Sequence, residues 1–575
     1  IAVAEIVINP QNTAVIYAAA AASGVRGANS PPRGVFRSQN GGQTWEALLT
    51  CTDCNGATDL VMNPQTPSTL YTAFYGYGVF RTEDSGANWT QLTGGLPNPQ
   101  QYGVGRVRLA ISASSPQTVY ASYHLMVPNQ YDGAIVFRTN NGGAAWTQVS
   151  TGNYNFCGSQ CWYSHVIAVH PQNPNTLFLG GMADYAGETL ENFRILRVVV
   201  RTNDGGANWI DLSPNTAPNR SLHPDMHTIA IDRANPQVIW VGNDGGVWRS
   251  SDGGQIWENR NTSLATLQFT GFAVDPANDS VIQGGMQDNN KAFTTNGGST
   301  PGWTAADRGD GGFALIDPFQ ANTWYGTRFG KTFQRNDQGP GFTGDWPFKV
   351  NGIDQQDPSL FYIPIAASPT TPGTLYLGTN RVYRTTDRGE SWTPISGDLS
   401  NGQQYVSAIT AAASDSNVIY AGTSDGNIQV TRNGGATWSN LTKAPLPNRF
   451  VSRIAVDSND ANIVYAVFNG FATHTPGQPG HVFKSSNGGQ SWQDISGNLP
   501  DIPTLSIILD PNAANTIYIG TDTGVFQTAN GGASWQPFNN GLPNVAVVDL
   551  AMNGAGTRLF AATHGRSIWR VDLGS

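Results

Sequence analysis

The side chains best suited to chemistry in this sequence are acidic, amide and imidazole groups that cluster between residues 223 and 310. Asp244 and Asp310 each occupy a glycine-rich segment, GNDGG (242–246) and RGDGG (308–312). Two such carboxyl groups on one surface could act as general acid and general base on a glycosidic bond. The predicted ligand-binding residues beside them are Gln287, Asp288, Asn289 and Arg308.

Metal binding is a second chemistry that the sequence allows, at the segment HPDMH (223–227) before Asp244. On a strand, alternate residues face the same side, so His223, Asp225 and His227 could share one site. Imidazole and carboxylate groups suit zinc or manganese, and Asp244 or Asp288 could complete a site for a divalent metal ion. A third interpretation is structural, in which these polar groups bond to one another and to the glycine-rich turns.

The elements that must position these groups are indicated by a repeated motif, S/T-x-D/N-x-G-x-x-W, which occurs in nine good copies. The Asp or Asn oxygen can accept hydrogen bonds from turn N–H groups, and Gly takes the positive φ that a tight turn needs. Trp starts the next strand with a large apolar surface. The copies are SQNGGQTW (38–45), TEDSGANW (82–89), TNNGGAAW (139–146), TNDGGANW (202–209), SSDGGQIW (250–257), TTDRGESW (385–392), TRNGGATW (431–438), SSNGGQSW (485–492) and TANGGASW (528–535).

An apolar strand, a turn of the Asp-Pro type and a second strand precede each copy, and counting them gives twelve units. A unit of roughly 40–45 residues is the size of one four-stranded propeller blade. The sequence therefore predicts an all-β fold of tandem β-propellers with about twelve four-stranded blades. Propellers typically have 4–8 blades, so two rings are expected, at 1–305 and 306–575 with six blades each. A division into seven and five fits the count nearly as well.

The composition indicates in which cellular compartment the protein works and which classes of partner it binds. The net charge is −9, without a Lys/Arg cluster, which argues against nucleic acid as a partner. No apolar stretch reaches the length of a membrane span. The cysteines form two close pairs, Cys51/Cys54 and Cys157/Cys161, which predict local disulfides and a secreted or extracytoplasmic protein. A redox CxxC motif and a zinc site shared by four thiolates are weaker alternatives.

The repeated boxes resemble the Asp-box (BNR-repeat) superfamily of β-propellers across nearly the whole chain. Within it, HPDMH, GNDGGVWRS, GGMQDNN and RGDGGF are most similar to bacterial secreted glycosyl-hydrolase-like BNR proteins and to the xyloglucanase-type double propellers. The xyloglucanase resemblance implies catalytic roles for Asp244 and Asp310, which lie in settings like those of the family's two catalytic aspartates. In that family each aspartate belongs to an early blade of its own domain, whereas the first unit here, IYAAAAASGVRG, has no matching Asp.

Two functions from different classes follow. The first is an extracellular binding or scaffold propeller for a polymer, such as a polysaccharide, or for a protein partner. The second is a glycoside hydrolase of xyloglucanase-like type acting on an extracellular polysaccharide. Loop aromatics could stack on sugar rings or could cover loop backbones, and these are Tyr75, Tyr77, Tyr123, Trp162, Tyr163 and Tyr185.

Overall fold

A computed structural model describes residues 2–21, 32–51, 54–127, 131–149, 156–182, 198–213, 222–299, 302–402 and 404–574. Regular structure in these ranges is almost entirely β-strand. It is interrupted only by three short 3₁₀ turns at Gly158–Gln160, Gly339–Gly341 and Ala472–His474. The predicted all-β propeller class is confirmed. Over the described ranges, no helix is long and apolar enough to cross a membrane.

In the part of the chain that the structure describes, the strands form twelve antiparallel sheets, in which consecutive strands are hydrogen-bonded neighbours. Ten sheets have four strands and two have three, so the predicted number of blades is confirmed. The chain divides into two compact units, Ile1–Ser263 (the first unit) and Leu264–Ser575 (the second unit).

The first unit contains five sheets of four strands each. Its strands are β1 (Ala2–Ile8), β2 (Ile16–Ala21), β3 (Arg33–Ser38), β4 (Glu46–Cys51), β5 (Ala57–Met62), β6 (Leu70–Phe74), β7 (Gly78–Thr82), β8 (Thr90–Gln91), β9 (Gly103–Ile111), β10 (Val119–Val127), β11 (Tyr131–Thr139), β12 (Thr147–Val149), β13 (Val166–Val169), β14 (Leu177–Gly180), β15 (Val199–Thr202), β16 (Ile210–Asp211), β17 (Met226–Ile231), β18 (Ile239–Asn243), β19 (Gly246–Ser250) and β20 (Glu258–Asn259).

The second unit contains seven sheets, of which the second and the last have three strands. Its strands are β21 (Phe269–Val274), β22 (Ile282–Met286), β23 (Lys291–Thr294), β24 (Thr304–Ala306), β25 (Ala314–Asp317), β26 (Gln320–Thr327), β27 (Phe333–Asn336), β28 (Ile365–Ala367), β29 (Leu375–Gly378), β30 (Val382–Thr385), β31 (Thr393–Pro394), β32 (Val406–Ala411), β33 (Ile419–Thr423), β34 (Ile428–Thr431), β35 (Ser439–Asn440), β36 (Val451–Val456), β37 (Val464–Phe468), β38 (Val482–Ser485), β39 (Gln493–Asp494), β40 (Thr504–Leu509), β41 (Ile517–Thr521), β42 (Gly524–Thr528), β43 (Gln536–Pro537), β44 (Val547–Met552), β45 (Arg558–Thr563) and β46 (Ile568–Asp572).

The first strands of the seven sheets in the second unit form a closed ring. Each packs against the first strand of the next sheet, and β21 packs against β44, which joins the first sheet to the last. The sequence predicted a division near residue 305 with six sheets on each side, whereas the compact units divide after Ser263 into five and seven sheets. The sheet β21–β24 belongs to the second unit because β21 packs between β25 and β44, and a count of repeats carries no information about that long-range contact.

The repeated motif forms the same hydrogen-bonded turn along the chain, as the copy before β43 illustrates. Thr528 Oγ1 donates to Asn530 Oδ1 at 2.8 Å and accepts the N–H of Gly532 at 3.0 Å. A Cβ on Gly532 would lie 2.6 Å from the Cβ of Ile495 in the preceding sheet, so the turn requires glycine there. The buried indole of Trp535 donates its N–H to the Ile495 carbonyl oxygen at 2.8 Å. The turn and the tryptophan thus fasten one sheet to the sheet before it.

Both predicted disulfides are present in the structure. Cys51 is bonded to Cys54, and Cys157 to Cys161. The second bond closes a short loop directly before Trp162 and Tyr163, which contribute to the site described below.

We expect Trp535→Phe to lower the stability of the protein more than Trp45→Phe does. The first change removes a buried hydrogen bond to the neighbouring sheet, and it should cost about 1 kcal/mol beyond the packing loss. The indole of Trp45 is 44% exposed and bonds locally to the Gly42 carbonyl oxygen, so it is a matched control. Calorimetric unfolding of the two variants measures the difference. Equal shifts in the unfolding temperature would contradict the proposed role of the turn and the tryptophan in fastening neighbouring sheets.

Candidate functional site

Asp244 lies in the tight turn that joins β18 to β19 in the first unit. Both glycines after it are required by close packing, because a Cβ on Gly245 would lie 2.4 Å from the Cβ of His223. A Cβ on Gly246, whose φ is 103°, would lie 2.2 Å from Asn261 Oδ1. The amide of Asn261 also accepts the Val247 N–H at 2.8 Å, which holds the turn to the edge of its sheet. The GNDGG segment thus presents Asp244 on a fixed turn.

The carboxylate of Asp244 is oriented by two aromatic side chains. His227 Nε2 lies 2.5 Å from Asp244 Oδ1, and the Tyr163 hydroxyl donates to both carboxylate oxygens at 3.1 and 3.0 Å. The Tyr163 and His227 rings are 4.9 Å apart in an edge-to-face arrangement. His227 reaches Asp244 because the register of β17 shifts between Met226 and Thr228, which turns its side chain out of the regular alternation.

Asp225 is a second carboxyl group beside Asp244. Met226 pairs with Asn243, so the next residues outward along the two strands are Asp225 and Asp244. Asp225 has a φ of 62° and is 9% exposed, and its Oδ1 has no hydrogen-bond partner within the described ranges. Burial, and then the negative charge of Asp244, raises the pKa of Asp225 above its ordinary value. Two neighbouring carboxyl groups in unlike environments are a common basis for acid–base chemistry.

The predicted metal ligands His223, Asp225 and His227 are not assembled into a metal centre. Over the described part of the chain, no group of three or more His, Cys, Asp or Glu side chains is arranged to hold a metal ion. The strand alternation behind that prediction does not apply, because β17 begins only at Met226 and is bulged at His227. Asp225 has a left-handed backbone, and His223 Nδ1 lies 3.0 Å from the Pro224 carbonyl oxygen.

An exposed aromatic pair borders the Asp244 site. Trp162 is 60% exposed, and its ring lies 5.5 Å from that of Tyr163. The partly buried Arg106 guanidinium donates to the Tyr163 carbonyl oxygen at 2.6 Å and so supports this loop. Burial, and secondarily the charge of Arg108, lowers the pKa of Arg106 to about 10, so it remains charged at neutral pH. A planar ring fixed beside a carboxylate can stack on the apolar face of a sugar.

The other aromatics predicted for this role differ in placement. Tyr123 is buried in the core, Tyr77 is exposed and Tyr75 is partly buried. Tyr185 lies outside the described residues.

Asp310 lies in the second unit, where the RGDGG segment packs on the turn between β22 and β23. Asp310 Oδ1 accepts the N–H of Asp288 at 2.9 Å, which brings together two of the predicted site residues. A Cβ on Gly311 would lie 2.3 Å from the Asn290 carbonyl oxygen, so the two segments are in direct contact. Gln287 is exposed on this turn, and its carbonyl oxygen accepts a hydrogen bond from Asn289 Nδ2 at 3.1 Å. Most of the residues predicted to surround Asp310 therefore lie next to one another in the structure.

Arg308, a predicted member of this set, and its neighbour Asp307 have other surroundings. Arg308 is 76% exposed, and its Nε lies 3.4 Å from Asp345 Oδ1. Asp307 is fully buried, with its Oδ2 2.6 Å from Lys291 Nζ. Asp307 is therefore part of the core below the glycine-rich segment.

The Lys291–Asp307 ion pair belongs to a buried polar network. Lys291 Nζ also donates to Gln334 Oε1 at 2.7 Å, and Asp307 Oδ1 accepts the Trp346 N–H at 3.1 Å. Burial lowers the pKa of Lys291 to about 8, an effect that the Asp307 charge opposes. Sequence reasoning missed Lys291, although it is one of only five lysines and directly follows the GGMQDNN segment.

Comparison with known proteins agrees with the propeller fold. The DUF6242 beta propeller domain model matches residues 366–569. A xyloglucanase of a Paenibacillus species is 22% identical over 553 residues, which cover 85% of this chain and 48% of that protein. The chain is a β-propeller protein similar in sequence to xyloglucanases. A xyloglucanase of Hypocrea jecorina is 26% identical over 281 residues, covering 46% of this chain and 31% of that protein.

Solved structures support the fold. The crystal structure of the GH74 xyloglucanase from Xanthomonas campestris superposes with a TM-score of 0.65 at 16% identity, covering 99% of this chain and 82% of that one. An ancestral GH74 enzyme gives a TM-score of 0.62 at 16% identity, covering 100% of this chain and 86% of that one. The predicted resemblance to xyloglucanase-type propellers is confirmed. This propeller chain spans about half the length, or less, of the curated relatives that it matches.

We expect Lys291→Ala to destabilise the protein by about 3–5 kcal/mol, because it leaves the Asp307 charge buried without its partner. Arg308→Ala is the matched control, since it removes an exposed ion pair of the same segment and should have almost no effect. Denaturant unfolding of both variants measures the difference. A Lys291→Ala protein as stable as the control would exclude the buried pair as the anchor of this segment.

Replacing Asp225 with Asn should stabilise the protein at pH 7 and have little effect near about pH 3. The pKa of Asp225 is raised in the folded state, so its stability contribution is present at low pH and is lost as pH rises through the folded-state pKa. Asn tolerates the positive φ of this position and carries no charge to bury. Unfolding temperatures of the two proteins at both pH values provide the test. A constant difference between them would show that Asp225 does not titrate in this way.

Proposed function

We propose that this chain is a glycoside hydrolase of xyloglucanase-like type that cleaves an extracellular polysaccharide. The observation that carries the proposal is the sequence similarity to a xyloglucanase, which extends over 85% of the chain. The two disulfides support a location in an oxidising compartment outside the cytoplasm.

The chemistry proposed for Asp244 follows from its contacts. Cleavage of a glycosidic bond needs one carboxyl group to protonate the leaving oxygen and a second to act as base or nucleophile. Asp244 is 12% exposed and is held by His227 and Tyr163, which stabilises its ionised form as hydrogen-bond donors do. We assign it the role of base or nucleophile.

The partner carboxyl group is proposed to be Asp310, as the resemblance to xyloglucanases implies. Asp225 is a second candidate, since it lies beside Asp244 and its pKa is raised, as expected of a general acid. The exposed ring of Trp162 next to Tyr163 is proposed to carry one sugar unit of the substrate.

A non-catalytic binding or scaffold propeller is the second candidate function. The observation that favours it is that both oxygens of Asp244 accept hydrogen bonds from Tyr163, and that Asp310 Oδ1 accepts a backbone N–H. Side chains held in this way can be purely structural. In that case the Trp162 surface would bind a polymer or protein without cleaving it.

We expect Asp244→Asn to lower kcat on the polysaccharide that the wild type cleaves by about 10²–10⁴, with little change in KM. Reducing-end release from xyloglucan, other β-glucans, xylan and mannan identifies that substrate. Asp232→Asn is the matched control, because Asp232 caps the turn at the opposite end of the same strand pair and Asn can accept the same bonds.

Three outcomes separate the alternatives. Loss of activity in Asp310→Asn but not in Asp225→Asn identifies Asp310 as the partner carboxyl group, and the reverse identifies Asp225. Cleavage that survives Asp244→Asn refutes the assignment of Asp244. A wild type that binds polysaccharide but releases no reducing ends supports the scaffold function.

A further inference from the structure

A cavity of about 340 Å³ opens at one end of the ring of inner strands in the second unit. Six of the seven sheets contribute a residue at or beside the start of their first strand, from Thr270 in β21 to Val548 in β44, and the sheet of β28 contributes the segment 360–362 before that strand. The cavity therefore occupies the mouth of the propeller channel. Its volume lies within the range typical of small-molecule sites.

The wall of the cavity is aromatic. Phe313, Phe361, Tyr362 and Phe450 line it, and Phe361 is 55% exposed. Phe329 stacks on Phe361 with centroids 6.1 Å apart and ring planes at 25°, so the exposed ring is held in a fixed orientation. A fixed aromatic ring at a cavity mouth costs little conformational entropy when a ligand covers it.

The floor of the cavity is polar, and the charge of the lining residue Arg453 is neutralised by an ion pair. Arg453 Nη2 lies 2.9 Å from Asp549 Oδ1, an ion pair that joins β36 to β44 past the intervening strand β40. The guanidinium carbon lies 4.9 Å from the centroid of the Phe313 ring. The Ser452 hydroxyl donates to the Thr504 carbonyl oxygen at 2.7 Å, which leaves its oxygen as an acceptor.

We propose that this cavity, which lies in the second unit beside the Asp310 segment, binds one neutral sugar unit of a polysaccharide. The choice of ligand class rests on the proposed function. A phosphate or a carboxylate is disfavoured because Asp549 already neutralises Arg453. A sugar presents apolar C–H faces to the aromatic wall and hydroxyl groups to the paired donors and acceptors of the floor.

The experiment measures binding by calorimetry with the full chain carrying Asp244→Asn, so that the ligand is not consumed. The probes are oligosaccharides derived from xyloglucan and linear cello-oligosaccharides. Adding Phe361→Ala should weaken binding about tenfold or more, or abolish one of two resolved binding events. Phe361→Tyr should restore it, because the ring is kept.

Phe319→Ala is the matched control for the loss of an exposed phenylalanine. Phe319 is 45% exposed in the same sheet as Phe313, in the turn at the opposite end of β25, and its replacement should leave binding unchanged. Binding that is the same with and without Phe361, or absent for every probe, overturns the proposal.

Cleavage by the wild-type protein is measured separately, so the two proposals can fail independently. If the wild type cleaves polysaccharide but binding does not depend on Phe361, the proposed function is retained and the sugar site is refuted. Phe361-dependent binding without cleavage by the wild type removes the hydrolase function and retains the site.

Discussion

The structure relies on an interaction that recurs between neighbouring sheets, most regularly in the second unit, in which an indole N–H donates to a backbone carbonyl oxygen of the preceding sheet. Trp257 bonds in this way to Leu212, and Trp392 to Lys349, at 3.0 and 2.8 Å. The bond spans two sheets because the glycine-rich turn before each tryptophan packs directly on its neighbour. Sheets fastened in sequence order in this way can form a ring, and in the second unit β21 and β44 complete it.

The glycine-rich turns determine where these polar groups are placed. The turns that carry Asp244 and Asp310 both lie where glycines allow close backbone packing, so the side chains are held on a rigid support. In the first unit, a bulge in β17 and the left-handed backbone of Asp225 bring three titratable groups next to one another. These departures from regular strand geometry are the features that distinguish the site from the rest of the sheet.

Buried charge is used in two different ways near these segments. Lys291 and Asp307 neutralise each other within a buried hydrogen-bond network, so the pair anchors the core below Asp310. Within the described residues Asp225 forms no ion pair of this kind, and its burial beside Asp244 is a cost in stability at neutral pH. A buried carboxyl group that weakens the fold in this way is expected where its chemistry is used.

The sequence by itself determined the all-β class, the number of sheets, both disulfides and the resemblance to xyloglucanase-type propellers, because each depends on short motifs whose geometry is local. It also indicated that Gln287–Asn289 and Asp310 belong together, since both segments are glycine-rich turns. Only the tertiary structure decided the division into five and seven sheets, the contact of Tyr163 with Asp244, and the burial of Lys291 with Asp307. Each of these depends on packing between distant segments, which local spacing does not specify. The alternation expected for His223, Asp225 and His227 fails because β17 begins only at Met226 and is bulged at His227, and the residue types alone do not reveal where a strand begins or bulges.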